Sequence, residues 1–280
     1  MKIVDSIARL KTILNAERKK SQKIGFVPTM GALHDGHLSL IALAKQTADF
    51  VVASVFVNPT QFGPNEDLDA YPRDLDADSH KLKAEGCDLL FAPTTTSMYP
   101  PGFETDVRLS VTTQGLCGAH RPGHFDGVTT VVLKLFGIVG PDVAVFGRKD
   151  YQQLTVIRRM VEDLCLDIEI IGAPLIRETD GLAMSSRNVY LSKEDRTRAL
   201  ALSRALFSVR ENYQSGERQS EVLLAQARDI FKQHNVSPEY LEIRRADNLQ
   251  TIESIEDIAV MLVAAKVGST RLIDNIQLGE

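Results

Sequence analysis

Two histidines three residues apart carry the strongest chemical signal in this chain of 280 residues. His34 and His37 stand in the stretch Phe26–Leu40, FVPTMGALHDGHLSL, on either side of Gly36. The stretch predicts a short buried strand, a tight turn and the first turns of a helix. Three residues is close to one helical turn, so both imidazoles point the same way. A helix N-terminus favours a bound anion, and the phosphate chain of a nucleotide is the obvious candidate.

The histidine pair has other interpretations. The two side chains could be capping or partly buried residues, or they could hold zinc. No third zinc ligand lies nearby in the sequence, and zinc-binding histidines on a helix are more often four residues apart. The position after a strand and at the start of a helix favours phosphate binding. In that interpretation the imidazoles stabilise transition-state charge, and Gly36 leaves room for the nucleotide.

A second cluster is Phe146–Gln153, FGRKDYQQ, which follows a predicted buried strand. Ligand sites in open α/β sheets lie at the carboxyl ends of strands, so Lys149 projects toward the same crevice as the histidines. Lys149 would supply a compact charge for phosphate oxygens, and Asp150 would cap the next helix or bind a ribose hydroxyl. Otherwise Arg148 and Lys149 are solvated surface charges and Gln153 is an exposed helix residue.

A third cluster is Gly181–Asn188, GLAMSSRN. Two serines and an arginine in a loop can clamp a triphosphate through hydroxyl and charge-assisted hydrogen bonds. The other interpretation is a flexible linker, which Ser and Gly favour.

Two polar segments offer weaker signals. The side-chain amides of Asn58 and Gln61 can bind a hydroxyl or a carboxylate without adding charge, although Asn-Pro is also a common turn opener. In His120–Gly127, HRPGHFDG, Arg121 and His124 could attract a substrate carboxylate, or the segment is a polar surface loop.

Three aspartates, Asp74, Asp76 and Asp78, also have two interpretations. They could hold Mg²⁺, or they form the charged face of a solvent-exposed helix, which is the interpretation we favour.

Alternating strands and helices position the first clusters. Strands are predicted at Ile24–Pro28, Phe50–Val57, Asp88–Ala92, Val143–Phe146 and Ile168–Ile171. Helices are predicted at Ser6–Lys20, after His37, and at Leu75–Glu85, Val128–Val139 and Asp150–Asp163. Thr94–Gly102 is predicted as a loop, and Gly115–Gly127 shows no apolar period. This alternation predicts right-handed βαβ units and a mostly parallel sheet.

The pattern changes after about Ile176. Two helices are predicted at Lys193–Tyr213 and Ser220–His234, followed by three short strands near Tyr240–Arg244, Ile258–Ala265 and Arg271–Ile276. Helices followed by strands predict a separate small α+β domain. We therefore expect two domains, residues 1–176 and residues 177–280.

Composition excludes several functional classes. A net charge of −5 gives no overall basic field for nucleic acid. The chain has three cysteines, an odd number, and no C-x-x-C motif. This favours a reducing compartment and argues against a thiolate metal cluster. No apolar run approaches the roughly 18 residues of a membrane span, and the charged N-terminus is not a signal peptide. We expect a cytoplasmic protein without nucleic-acid or membrane partners.

Six motifs, in their order along the chain, resemble the pantoate–β-alanine ligase (pantothenate synthetase) family. They are PTMGALHDGH at 28–37, FVNPTQF at 56–62, YPRD at 71–74, HRPGHFDGV at 120–128, FGRKDYQQL at 146–154 and AMSSRNVYLS at 183–192. The first motif also resembles the wider superfamily of nucleotidylyltransferases and class I aminoacyl-tRNA synthetases. Its HIGH and KMSKS motifs correspond to His34–His37 and Met184–Arg187.

The resemblance implies a Rossmann-like N-terminal domain with a smaller α+β C-terminal lid, assembled as a homodimer. It implies condensation of (R)-pantoate with β-alanine, using ATP and Mg²⁺, to give pantothenate, AMP and pyrophosphate through a pantoyl adenylate. Two alternatives are another HxGH nucleotidylyltransferase and a non-catalytic nucleotide-binding regulator.

The resemblance also implies roles for single residues. His37 would be the proton donor, His34 and Lys149 would assist at the phosphates, and Gln61 would hold pantoate and then β-alanine. Pantoate would also contact Gln153, and Asn58 completes our expected pantoate site. The ATP site would comprise Met30, Gly31, Ala32, Leu33, His34, Asp35, Gly36, His37, Gly147, Arg148, Lys149, Asp150, Ile176, Met184, Ser185, Ser186 and Arg187. Arg148 stands where we expect Glu or Lys in many relatives, and we expect its side chain to face solvent.

Overall fold

The larger sheet of the computed structural model, which describes residues 1–64 and 66–279, has six strands. They are β1 (Lys2–Val4), β2 (Ile24–Thr29), β3 (Phe50–Val55), β4 (Leu89–Phe91), β5 (Val143–Gly147) and β6 (Glu169–Ala173). Their order across the sheet is β1-β4-β3-β2-β5-β6, and neighbouring strands are parallel.

Helices connect these strands. They are α1 (Ile7–Arg18), α2 (Asp35–Thr47), α3 (Leu75–Ala84), α4 (Thr95–Met98), α5 (Leu116–His120), α6 (His124–Val139) and α7 (Tyr151–Asp163). Short 3₁₀ turns lie at Pro59–Gln61, Arg148–Asp150 and Ser186–Tyr190.

Both faces of the sheet are buried, and two successive residues of one strand show this because they point to opposite sides. On β2, Phe26 packs in one apolar cluster with Phe136 of α6. The next residue, Val27, belongs to a second cluster with Ile41 of α2 and Leu82 of α3. Helices therefore cover both faces, which explains why the central strands are almost continuously apolar.

The crevice that matters for function lies where the strand order reverses. Strand β2 pairs with β3 on one side and with β5 on the other. In open α/β sheets this switch point opens a ligand-binding crevice at the carboxyl ends of the strands. Helix α2 follows β2, and the Arg148–Asp150 turn follows β5, so both predicted clusters lie at the switch point.

The C-terminal domain consists of α8 (Lys193–Gln214), α9 (Ser220–Gln233), β7 (Pro238–Arg245), β8 (Ala259–Val267) and β9 (Thr270–Leu278). Its strands form an antiparallel sheet in the order β7-β8-β9. A separate buried cluster, formed by residues between Leu182 and Leu278, joins the two helices to this sheet. The predicted fold class, a Rossmann-like parallel sheet with a smaller α+β domain, is confirmed. No helix within residues 1–64 and 66–279 is long and apolar enough to cross a membrane.

The structure differs from the sequence prediction mainly at short elements. The edge strand β1 was not predicted, because three residues are too few to show a period. The segment Thr94–Gly102, predicted as a loop, contains the one-turn helix α4. The segment Gly115–Gly127, predicted to lack periodic structure, contains α5 and the start of α6.

A tertiary contact explains the early start of α6. A Cβ atom at Gly127 would lie 2.4 Å from the carbonyl oxygen of Thr60. The first turn of α6 therefore packs directly on the Pro59–Gln61 turn, and a local apolar period does not reveal such a contact.

Candidate active site

The two histidines lie together at the start of α2. His34 has extended backbone angles and directly precedes the helix, and the ring centroids of His34 and His37 are 4.1 Å apart. A Cβ atom at Gly36 would lie 2.9 Å from the His34 ring. The missing side chain of Gly36 therefore makes room for His34, and the expectation that it also leaves room for a nucleotide stays a prediction.

Both imidazoles are neutral at pH 7. Burial, and after it the charge of Lys149, lower the pKa of His34 to about 4. Burial, and after it the neighbouring His34, lower the pKa of His37 to about 3. The main-chain N–H of His34 donates to His37 Nδ1 at 3.4 Å, which assigns the ring hydrogen of His37 to Nε2. His37 thus presents an N–H donor without carrying a charge.

Helix α3 holds the turn that leads to the histidines. The side chain of Asp78 is 2% exposed, and its two oxygens accept the main-chain N–H groups of Ala32 and Leu33 at 2.9 and 2.8 Å. Lys81 donates to the carbonyl of Leu33 at 2.6 Å. These bonds hold a turn in which Ala32 adopts a φ of +51°, a conformation that side chains other than Gly rarely adopt.

The three aspartates of this segment therefore have different environments. Asp74 caps α3 by accepting the N–H of Ala77 at 2.9 Å, Asp76 is exposed, and Asp78 is buried. The expectation of one charged, solvent-exposed face is wrong for Asp78. Within the described residues, no group of three or more His, Cys, Asp or Glu side chains could hold a metal ion.

One cavity of about 180 Å³ brings most of the predicted residues together. From the first cluster it is lined by Met30, His34, Gly36 and His37, and from the strand end after β5 by Gly147, Lys149, Asp150 and Gln153. Ile176, Met184, Ser185, Ser186 and Arg187 complete its wall. The histidine pair and Lys149 thus face the same space, in the crevice between β2 and β5.

The loop at 184–187 is fixed against the start of α2. The main-chain N–H of Gly36 donates to Met184 Sδ at 3.2 Å, and the N–H of Met184 donates to the carbonyl of Ile176 at 3.0 Å. An adjoining cavity of about 530 Å³ is lined by Ala32, Leu33, His34, Asp35 and residues 184–186. Gly31 packs behind this turn, where an added Cβ would lie 2.9 Å from Asp78 Oδ2.

Arg148 does not face solvent, and the expectation that it does is wrong. Its Nε donates to the carbonyl of Gly172 at 3.1 Å, and its Nη1 donates to Gln277 of β9. The side chain instead helps to hold the C-terminal domain against the end of β5.

Arg187 is already paired in the structure. Its Nε and Nη2 donate to the two carboxylate oxygens of Asp67 at 2.9 and 2.7 Å, and its guanidinium lies over the Tyr71 ring. Burial alone would raise the pKa of Asp67, but the hydrogen bonds and charge of Arg187 lower it below its ordinary value. This pair uses two of the five N–H groups of the guanidinium, so a phosphate could bind the remaining ones or compete with the Asp67 carboxylate.

Asn58 and Gln61 form a buried amide network. Asn58 is 1% exposed, and its Nδ2 donates to Gln61 Oε1 at 3.0 Å and to the carbonyl of Gly127 at 3.1 Å. Its Oδ1 accepts the hydroxyls of Tyr99 and Thr60 at 2.7 and 3.0 Å. The Nε2 of Gln61 lies 3.0 Å from Met30 Sδ, which places Gln61 beside the cavity wall.

Two polar side chains of the 120–127 motif, Arg121 and His124, find hydrogen-bond partners within the protein. The Nδ1 of His124 donates to the carbonyl of Gln61 at 2.8 Å, and its Nε2 accepts from Arg121 at 2.9 Å, which is the pattern of a neutral imidazole. Burial, and after it the charge of Arg121, lower the pKa of His124 to about 4. Arg121 also binds both carboxylate oxygens of Glu66. In this structure both side chains donate to the carbonyl of Gln61 and so support its backbone, while a contact with a substrate carboxylate, one of their two interpretations, stays a prediction.

Three features define the class of protein to which this chain belongs. They are a parallel sheet with a polar crevice at its switch point, two histidines at the start of a helix, and an MSSR loop. The chain is a Rossmann-like α/β protein that carries an HxGH motif at the start of a helix. The family model for pantoate–beta-alanine ligase matches residues 2–277. The chain belongs to the pantoate–beta-alanine ligase family.

Similar proteins cover the whole chain. A pantothenate synthetase of Thermoanaerobacter pseudethanolicus is 50% identical over 281 residues, covering 100% of this chain and 99% of that protein. A pantothenate synthetase of Pseudomonas fluorescens is 52% identical, covering 99% and 98%. The crystal structure of pantothenate synthetase from Thermus thermophilus has a TM-score of 0.95 at 46% identity, with 100% of each chain covered. A pantoate–beta-alanine ligase from Francisella tularensis, complexed with beta-gamma ATP and beta-alanine, has a TM-score of 0.80 at 37% identity and covers 99% and 97%.

Proposed function

We propose that this protein condenses (R)-pantoate with β-alanine in an ATP-dependent reaction that gives pantothenate, AMP and pyrophosphate. The observation that carries the proposal is the single cavity lined by His34, His37, Lys149 and the 184–187 loop. This is the donor set that a triphosphate needs, because N–H, hydroxyl and cationic groups all bind phosphate oxygens. Membership of the family supports the identity of the two other substrates.

The first step converts a poor acyl donor into a good one. A carboxylate cannot expel oxide, so the pantoate carboxylate attacks the α-phosphorus of ATP and pyrophosphate leaves. Lys149, Ser185, Ser186 and Arg187 stabilise the charge that develops on the phosphates, and His34 and His37 donate hydrogen bonds to them. The product of this step is an enzyme-bound pantoyl adenylate.

The second step forms the amide. The amine of β-alanine, in its neutral form, attacks the acyl carbon and loses one proton to solvent as the C–N bond forms. The C–O bond to the phosphate breaks, and AMP leaves with one oxygen that came from the pantoate carboxylate. Closing the C-terminal domain over the cavity would protect the adenylate from water. That closure, and the domain boundary between residues 176 and 177, are proposals; the buried cluster that begins at Leu182 supports the boundary.

We assign the binding residues in the two adjoining cavities and in the segments that border them as follows. Met30–His37, Gly147–Asp150, Ile176 and Met184–Arg187 form the ATP site, with Asp150 on the ribose. Gln61 and Gln153 hold pantoate, and Gln61 then holds β-alanine. For Asn58 we propose an indirect role: its amide hydrogen bonds are satisfied within the protein, so it orients Gln61. His37 is the proposed proton donor, since the negative charge of a bound triphosphate would raise its lowered pKa.

Three further proposals concern the surroundings of the reaction. Mg²⁺ would reach the site on the triphosphate, because it is commonly held by substrate phosphates, water and one or two carboxylates. Asp35 and Glu178, which line the larger cavity, and Asp150, which lines the smaller one, are carboxylates available for that purpose. The protein would act as a homodimer in the cytoplasm, as the family resemblance and the free cysteines suggest.

The test is AMP formation with ATP, Mg²⁺, β-alanine and a panel of 2-hydroxy acids, with reactions lacking each substrate as controls. We expect AMP and pyrophosphate in equal amounts, and turnover that is highest with (R)-pantoate. A dinucleotide product in place of AMP would identify another HxGH nucleotidylyltransferase. Absence of pyrophosphate with every acid would identify a nucleotide-binding regulator, and either result would overturn the proposal.

A further inference from the structure

A side chain of the C-terminal domain holds the backbone of the Lys149 segment. The amide nitrogen of Asn275, on β9, donates to the carbonyl of Arg148 at 2.9 Å and to the carbonyl of Lys149 at 2.8 Å. Asn275 is 6% exposed, so water does not compete freely for these bonds. An NH₂ group has two hydrogens, and one side chain therefore satisfies two consecutive carbonyls.

Asn275 is itself held in place. Its main-chain N–H donates to Asp274 Oδ1 at 2.7 Å, and Asp274 is 2% exposed. The guanidinium of Arg177 donates to both carboxylate oxygens of Asp274 at 2.7 and 2.9 Å and to the carbonyl of Asn275 at 3.3 Å. Arg177 lies on the segment that joins the larger sheet to the C-terminal domain, so this contact fixes β9 relative to that segment.

A second residue of the same strand face contacts the same turn. Gln277 lies two positions after Asn275, on the same side of β9, and accepts a hydrogen bond from the Arg148 guanidinium. Asn275 thus binds the main chain of the Arg148–Asp150 turn, while Gln277 binds a side chain of it. The main-chain contacts made by Asn275 fix the position of the Lys149 backbone, and so the point from which its side chain extends.

We propose that Asn275 is a positioning residue that sets the place of Lys149 in the cavity and makes adenylate formation depend on the C-terminal domain. Without its two hydrogen bonds the 148–149 carbonyls lose their anchor, and Lys149 is no longer held opposite the histidine pair. A displacement on the order of 1 Å from such a remote change can slow a reaction substantially. The inference rests on the role proposed above for Lys149.

The test compares the two half-reactions in single turnovers. In Asn275→Ala we expect adenylate formation from ATP and pantoate to slow about tenfold. The attack of β-alanine on adenylate that has already formed should change by less than about twofold. The matched control is Asn212→Ala, which removes an amide hydrogen bond of 2.9 Å to Gln226 within the C-terminal domain and should leave both rates unchanged.

A double-variant comparison separates positioning from a purely structural role. If Asn275 acts through Lys149, the loss caused by Asn275→Ala should largely disappear when Lys149 is already Ala. An equal loss in both backgrounds, or equal slowing of both half-reactions, would overturn the proposal. If Asn275→Ala does not fold, Asn275→Leu, which keeps the approximate size and loses the donors without adding a charge, is measured in its place. Failure of both variants to fold would assign Asn275 to stability and would also overturn the proposal.

The same measurements distinguish failure of the proposed function from failure of the positioning role of Asn275. If the wild-type protein forms no pantoyl adenylate, the proposed function fails. If the wild type forms it and Asn275→Ala behaves like Asn212→Ala, only the positioning role of Asn275 fails.

Discussion

At the scale of single residues, the unusual feature is a pair of adjacent histidines that are both uncharged. Protonating either ring would place a cation in a buried site, next to the other ring and facing Lys149. A neutral imidazole still donates one hydrogen bond, so the pair can bind phosphate oxygens without repelling Lys149. The spacing of His34 and His37 was readable in the sequence. Their neutrality was not, because it depends on burial and on a lysine from a distant part of the chain.

The lowered pKa of His37 predicts a dependence of stability on pH. An unfolded histidine has a pKa near 6.5, so the unfolded state binds the proton first as the pH falls, and folding is progressively destabilised. Between pH 7 and pH 5 the wild type should lose about 1–2 kcal/mol more stability than His37→Gln, which cannot titrate. The measurement is urea unfolding of both proteins across this range. The two pH profiles should run parallel above pH 7, and profiles that stay parallel down to pH 5 would show that His37 is not buried in its neutral form.

At the scale of elements, α3 supports the turn between β2 and α2. From the sequence, α3 was a charged helix with no evident link to the histidines. The position of the helix was predicted from its charged composition, whereas the capping role of Asp74 was not. The inward orientation of Asp78 was not, because its partners, the N–H groups of Ala32 and Leu33, come from another part of the chain.

This arrangement predicts that Asp78→Ala is costly although Asp78 lies outside the cavity. The change leaves two main-chain N–H groups without their acceptor in a buried turn, so the free energy of unfolding should fall by about 2–4 kcal/mol. The rate of adenylate formation should fall as well, because the turn positions both histidines. Asp76→Ala, at an exposed position of the same helix, is the matched control and should be close to wild type in both measurements. Equal behaviour of the two variants would contradict a supporting role for α3.

At the scale of the whole molecule, the site is assembled from parts far apart in the sequence. The order of strands places β2 beside β5, and this brings the histidine pair and Lys149 to one crevice. The alternation of strands and helices was sufficient to predict the parallel sheet and the general place of the site. It was not sufficient to predict that Arg121 and Arg187 pair with Glu66 and Asp67, since ion pairs between distant loops leave no periodic signal.

In the proposed reaction, this cavity directs the carboxylate of pantoate to the α-phosphorus of ATP. The most direct measurement uses pantoate labelled with ¹⁸O in its carboxylate, together with ATP, Mg²⁺ and β-alanine, and follows the label by mass spectrometry of AMP. A reaction with unlabelled pantoate in ¹⁸O water serves as the control for hydrolysis. We expect one labelled oxygen in each AMP and none in pyrophosphate. Unlabelled AMP, formed together with pantothenate, would contradict it.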